Sequence, residues 1–292
     1  MENKKDKISL IAAMTIYGTI GLFVRALSMP SAIVAFFRGL IGSAFLCVVI
    51  VMRKKGISSE KLRKNLLLLI ISGAAIGVNW ILLFEAYRYT SVSIATLCYY
   101  LAPAFVTILS PLILKERLTP LKMLFVALSL FGMYLISGIG SGDGGSFVGI
   151  LFGLGAAVLY ASVILMNKFI RDMDAYEKTA TQLISATAVI LPYILITGGL
   201  GNSVFNTRAV IVLLIIGVIH TGVAYWLYFG SMDGLKAQTI AIYSYVDPVV
   251  AIILSALILR EHMGLKEIVG AVLILGSTLL SDIVPVKDNK NV

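Results

Sequence analysis

The chain is a succession of apolar stretches separated by short polar joints, each close to the roughly 20 residues that a helix needs to cross the hydrocarbon of a bilayer. Reading for runs of about 17 to 25 residues gives spans at 8–27, 33–52, 66–87, 92–114, 121–138, 147–168, 176–197, 209–231, 237–259 and 266–284. Inside lipid every backbone N–H and C=O has to be satisfied within the element, so such a pattern folds as helices. The expected fold is an all-α integral membrane protein of ten transmembrane helices with no soluble domain. Composition agrees, with 59% hydrophobic and 13% charged residues against about 25% charged in an ordinary soluble domain.

The joints carry boundary residues: Ser28-Met29-Pro30, Thr119-Pro120 as helix N-cap and first residue, and Gly198-Gly199. They also carry most of the charge. The formal balance is +9, and because the basic residues sit in short segments between apolar runs they read as topology signals, which excludes a nucleic-acid partner. With the N-terminus cytoplasmic, eighteen Lys and Arg lie inside and five, Arg25, Arg88, Arg208, Arg260 and Lys266, lie outside. This puts both termini in the cytoplasm of a cell (plasma) membrane protein. Lys4, Lys5 and Lys7 before an apolar run imitate a secretory leader, a reading rejected because the first span has a counterpart later in the chain. Cys47 and Cys98 fall inside apolar runs and read as small buried hydrophobes.

That counterpart belongs to a duplication. Ile108-Leu-Ser-Pro-Leu-Ile-Leu-Lys-Glu116 matches Ile253-Leu-Ser-Ala-Leu-Ile-Leu-Arg-Glu261 at seven of nine positions. The same offset of 145 relates Tyr100 to Tyr245, Pro103 to Pro248, Gly77 to Gly222 and Phe84 to Phe229, and an offset of 143 relates Tyr17 to Tyr160. Two five-helix repeats are expected, 8–138 and 147–284. Five is odd, so the second copy enters the membrane from the opposite side, and inverted repeats are a transporter architecture in which one site opens alternately to either face.

On these residues the chain resembles the EamA branch of the drug/metabolite transporter superfamily over essentially its whole length, with the signature segments Pro103 to Glu116 and Pro248 to Glu261. Arg38 resembles an arginine common in the family's second helix, and Gln182 stands at the corresponding place in the second half. The resemblance implies a ten-helix bundle whose central cavity is lined by the third, fourth, eighth and ninth helices. It also implies transport of amino acids, other metabolites or drugs, often outward.

Ionisable groups deep in a span cost about 2.5–3.5 kcal/mol on insertion scales and are functional candidates by default. Asp247 lies about ten residues into the ninth span beside Pro248, where it either lines the cavity or is a structural carboxylate bonded to a neighbouring tyrosine. His220 is halfway through the eighth, and with Asp247 on an adjacent helix it forms a candidate proton-coupling pair. Arg38 and Glu85, each near the outer end of its span, permit a gating or structural ion pair. Trp80, Tyr99, Tyr100, Tyr225, Trp226, Tyr243 and Tyr245 lie well inside the cavity helices, where aromatic faces suit a zwitterionic or cationic solute. Asn79 can serve a solute or an interhelical bond.

Two features read blandly. Gly140-Ser-Gly-Asp-Gly-Gly145 has the letters of a dinucleotide fingerprint but lacks the strand-helix-strand context, so it is the linker between repeats. Gly73/Gly77 and Gly149/Gly153 have the spacing of close helix packing. No Walker motif and no paired His-Glu-His cluster stands in the letters, so neither ATP hydrolysis nor embedded catalysis is expected, and no catalytic residue, metal or cofactor is assigned. The expected function is secondary transport, outward and proton-coupled, of a small organic metabolite such as an amino acid or organic cation. A membrane-embedded receptor or assembly protein without transport is the alternative. The expected partners are the lipid bilayer and the solute; oligomeric state is not legible.

Overall fold

The structure is a computed structural model that describes residues 4–53, 58–115, 118–137, 144–199, 201, 203–232 and 234–283. Among the described residues every regular element is helical: α1 (Lys4–Arg25), α2 (Ser31–Met52), α3 (Ser59–Tyr89), α4 (Val92–Tyr99), α5 (Ala102–Ile113), α6 (Pro120–Ile136), α7 (Gly144–Asn167) and α8 (Ala175–Thr197). There follow α9 (Thr207–Leu214), a π-helical segment (Ile215–Val223), α10 (Ala224–Met232), α11 (Ala237–Ser244), α12 (Val246–Leu257) and α13 (Leu265–Ile283). Glu116, Arg117, Lys54, Lys55 and residues 140–143 of the glycine-rich linker lie outside the described residues.

Eight of these segments, counting α4 with α5, α9 with α10 and α11 with α12, are long and apolar enough to cross a membrane, and α6 is a shorter apolar helix. The protein is thus a multi-pass membrane protein. Helix α13, at the expected tenth span, carries Lys266 and Glu267 in its first turn. Local chemistry sets the ends. The Thr119 hydroxyl caps α6 by accepting from Lys122 N, with Pro120 as first residue; Asp174 caps α8; Gly198 closes α8 in the left-handed conformation, φ 66°.

The fourth and ninth spans, each read as one apolar run, are interrupted, α4 giving way to α5 at Tyr100 and Leu101 and α11 to α12 at Tyr245. Proline explains both breaks. Pro103 and Pro248 donate no N–H, so the carbonyls four residues back, of Tyr99 and Ser244, lose their helical partners. The two short helix pairs also end alike, at Lys115 (φ 58°) and Arg260 (φ 56°), each a non-glycine residue held in the left-handed region and 145 positions apart.

The two sequence halves interleave. Helix α1 packs on α10 and α12, α2 on α8, α3 on α7 and α8, and α6 on α13. One close approach is at Gly18 of α1, where a Cβ would fall 2.5 Å from the Asp247 carbonyl oxygen and 2.7 Å from Val250 Cβ. The spaced glycines make comparable contacts, Gly73 and Gly77 against α8 and Gly149 and Gly153 against Thr90 and Cys98. A large apolar cluster, including Phe84, Leu83, Ile33, Leu183 and Ile216, fills the region around α2, α3 and α8, and many large apolar side chains, such as Ile196, Leu112 and Val51, remain exposed on the outside, as a lipid-facing surface requires.

Candidate functional site

The break in α11/α12 builds the centre of the site. The Ser244 carbonyl, released by Pro248, accepts from the Tyr100 hydroxyl at 3.3 Å, and the same hydroxyl donates to Asp247 Oδ2 at 2.8 Å. The Tyr100 ring meets its repeat equivalent Tyr245 at 6.1 Å. One phenol therefore joins the two broken spans through a carboxylate and a spare carbonyl.

Tyrosines surround this junction. Tyr99 stacks on Tyr160 at 5.2 Å, and Tyr225 meets Tyr17 edge-on at 5.8 Å and stacks on Phe229 at 5.5 Å. Tyr160 keeps 39% of its surface accessible. Asp247, Tyr99, Tyr100 and Tyr225 are half-buried. The Tyr17 and Ser93 hydroxyls are buried with no hydrogen-bond partner among the described residues.

Arg38 is buried at 6% exposure. Its Nε donates to Thr221 Oγ1 at 3.1 Å, and its guanidinium lies over the Trp80 ring at 4.1 Å and the Phe84 ring at 5.8 Å.

The expected Arg38–Glu85 ion pair does not form. Trp80 and Phe84, four residues apart on α3, make the face beneath Arg38; Glu85 is one position further round the helix and pairs instead with Arg88, one turn on, at 3.0 Å. The expected Asp247–His220 pair does not form either, because α1 stands between them. Gly18 packs on the Asp247 backbone, while the next residue, Thr19, meets His220 Nε2 at 2.8 Å. His220 Nδ1 lies 3.3 Å from the Ile215 carbonyl and its ring sits edge-on to Phe23 at 4.8 Å. That carbonyl only accepts, so the contact is a hydrogen bond when Nδ1 carries a proton.

Asn79 is spent on a helix tie, its Nδ2 donating to the Ala156 carbonyl at 2.5 Å. Trp226 is 48% exposed, outside the tyrosine cluster; its backbone carbonyl takes the Tyr176 hydroxyl. Tyr243 is half-buried in α11 and joins none of the ring pairs among the described residues. Tyr17, Tyr160, Thr221 and Tyr228, whose ring meets Tyr17 edge-on at 6.4 Å, join these contacts without being assigned to the site from the letters. Tyr17 and Tyr160 carried the available signal, a polar ring at matching depth in the first span of each half. Among the described residues no group of His, Cys, Asp and Glu could hold a metal ion.

Comparison with known proteins places this geometry. The model of the EamA-like transporter family matches residues 7–138 and 147–281. The chain is 29% identical to the uncharacterized transporter YxxF of Bacillus subtilis, covering 94% of this chain and 88% of that one. It is 26% identical to an uncharacterized transporter of Archaeoglobus fulgidus, over 94% of each. One solved crystal structure superposes with a TM-score of 0.66 at 18% identity, over 94% of this chain and 96% of that one, a likeness of fold alone.

Proposed function

The chain belongs to the EamA-like transporter family, and on that footing we propose that it is a secondary transporter moving a small organic metabolite, an amino acid or related solute, through the tyrosine-lined space at Asp247. The observation that carries this reading is the Tyr100–Asp247 bond at 2.8 Å between two interrupted spans. Irregular backbone at membrane depth is tolerated only where it is buried in protein or lines a cavity, and broken helices are where transporters hold their solutes.

We read the architecture as two five-helix repeats of opposite orientation, 8–138 and 147–284, working by alternating access. The equivalent breaks before Pro103 and Pro248, the left-handed residues Lys115 and Arg260, and the Tyr100–Tyr245 contact support it. The surplus of basic residues in the joints counted as inside supports cytoplasmic termini in a plasma membrane protein. Export is the direction that the family resemblance implies. Proton coupling now rests on Asp247 alone, because Thr19 engages His220 across α1.

The test is solute flux into and out of proteoliposomes of the purified chain, with and without an imposed pH gradient, comparing it with Asp247→Asn. Saturable flux driven by the gradient and lost in the variant supports transport through this site with proton coupling. Flux indifferent to the gradient removes the coupling, and flux that survives the substitution moves the site away from Asp247. Solute binding without flux would favour a receptor.

A further inference from the structure

We propose that the hollow between the start of α3 and the joint leading from α7 to α8 binds the headgroup of an anionic phospholipid. The phosphodiester lies on Lys61 and Arg171, and the acyl chains run along the lipid-facing side of α3. This is the end of the bundle read above as cytoplasmic, and the site stands whether or not the chain moves a solute.

The hollow has a volume of about 540 Å³ and is lined by Lys61, Lys64 and Asn65 of α3 and by Phe169, Arg171 and Asp172 of the joint. Asn65, 7% exposed, builds it. Its Nδ2 donates to the Lys61 carbonyl at 2.9 Å and to the Arg171 carbonyl at 3.1 Å, while its Oδ1 accepts from the Arg171 N–H at 3.3 Å. One buried amide thus holds both backbone groups of Arg171 and seats them against the turn of α3 that begins at Lys61. Asp172 follows in the left-handed region, φ 61°, which a non-glycine residue keeps where the surrounding structure holds it. Lysines at the end of a membrane helix often reach the interface without engaging any one lipid, whereas an arginine fixed by a buried amide at the wall of a hollow is a built arrangement.

The charges select the ligand. Lys64 is neutralised by Glu60 at 2.6 Å, whereas Lys61 and Arg171 have no carboxylate partner among the described residues. Asp172 is the remaining acid of the lining. Two free cations against one carboxylate suit a group of single negative charge, which is that of a phosphodiester, and charge-assisted bonds from Lys and Arg to phosphate oxygens are strong. Asp172 opposes a bare anion but accepts from a hydroxyl, so a glycerol headgroup, with hydroxyls beside its phosphate, uses both signs of the lining. The source is the membrane. Lys64, Leu67 and Ile71 lie on one row of α3, and Leu67 and Ile71 are 71% and 47% exposed. Phe169, 44% exposed, adds an apolar ring to the lining itself. A surface for hydrocarbon therefore begins one turn from the hollow, and basic hollows between helices at this level are where anionic headgroups are recognised. Lys61 belongs to the first half of the chain and Arg171 to the second, so a phosphodiester on both ties the halves together and stabilises the fold by binding it.

The experiment uses the full chain, purified and delipidated in detergent, with lipid binding read by native mass spectrometry and by the rise in Tm. The probes are phosphatidylglycerol, phosphatidylethanolamine and phosphatidylcholine with the same acyl chains, and glycerophosphoglycerol as the headgroup without a tail. Phosphatidylglycerol is expected to bind at least about tenfold more tightly than either other lipid, as charge-assisted recognition at two cations implies, and to raise Tm. Lys61→Gln with Arg171→Gln should abolish that preference. Lys4→Gln with Arg63→Gln, which removes the same charge from outside the hollow, should keep it. Lys61→Arg with Arg171→Lys should retain part of it, which separates loss of charge from loss of fold. A preference that survives in folded Lys61→Gln/Arg171→Gln, or falls equally in Lys4→Gln/Arg63→Gln, would overturn the site. Phosphatidylethanolamine or phosphatidylcholine bound as tightly as phosphatidylglycerol would overturn it too. Glycerophosphoglycerol bound as tightly as the lipid would overturn the membrane as the source and assign the hollow to a soluble phosphate ester.

Discussion

Arg25 at the end of α1 and Glu261 beyond α12 meet at 2.6 Å, 236 residues apart in sequence. The same carboxylate accepts from the Val92 N–H at 2.9 Å and from the Ser255 hydroxyl. It therefore gathers the end of α1, the start of α4 and the end of α12 at one point. Arg260, held at φ 56°, turns the chain so that the next side chain can reach back.

Glu261→Gln should lower the stability of the detergent-solubilised protein by roughly 1–3 kcal/mol, the range for hydrogen bonds to a charged group, read as a fall in Tm. It should also loosen that end of the bundle. In a chain with Cys47 and Cys98 replaced and Ser93→Cys added, a membrane-impermeant maleimide applied to the Glu261 face should react faster in the variant than in its parent. An unchanged rate would show that the contact holds no closure.

Tyr100→Phe removes one hydroxyl and leaves two acceptors short, Asp247 Oδ2 and the Ser244 carbonyl. A loss of about 1–3 kcal/mol is expected for unsatisfied buried groups, accompanied by reduced solute flux. Full flux with an unchanged Tm would remove this bond from the site.

Gly18→Ala puts a methyl group 2.5 Å from the Asp247 carbonyl, which belongs to backbone and has little room to yield. Helix α1 should be pushed from α12, with a cost of roughly 1–3 kcal/mol as for overpacked cores. Flux should fall more than expression, because the displaced element carries the Asp247 carboxylate. Normal flux and Tm would show the two helices are free to separate there.

Asn79→Leu tests a side chain that the structure commits to a tie between helices. Its amide ties α3 to the Ala156 carbonyl of α7, so the variant should lose about 1–3 kcal/mol while the order of preference among solutes stays the same. A changed preference would return Asn79 to the site.

The spans were legible because hydrocarbon imposes length and polarity on a helix segment by segment, and the 145-residue offset was legible because it is a property of the letters. Pro103 and Pro248 were visible too, and the missing N–H foretells a break, though not its use of Tyr100 to join the halves. Partners across helices were not legible. Depth in a span follows from counting, whereas Arg38 meeting Thr221 rather than Glu85 depends on the azimuth of Trp80 and Phe84 on α3. The separation of His220 from Asp247 depends on α1 passing between them, which no local pattern around either residue records.

The π-helical stretch Ile215–Val223 gives the eighth span slack. A π turn winds more residues than an α turn, so tightening one such turn would re-phase everything beyond it by roughly the 100° that one residue occupies on an α-helix. Tyr225 and Phe229 follow that stretch in α10, whereas Thr221, which holds Arg38, and His220, which holds Thr19, lie inside it. Tightening would therefore turn the aromatic face of α10 relative to the two polar anchors inside the stretch.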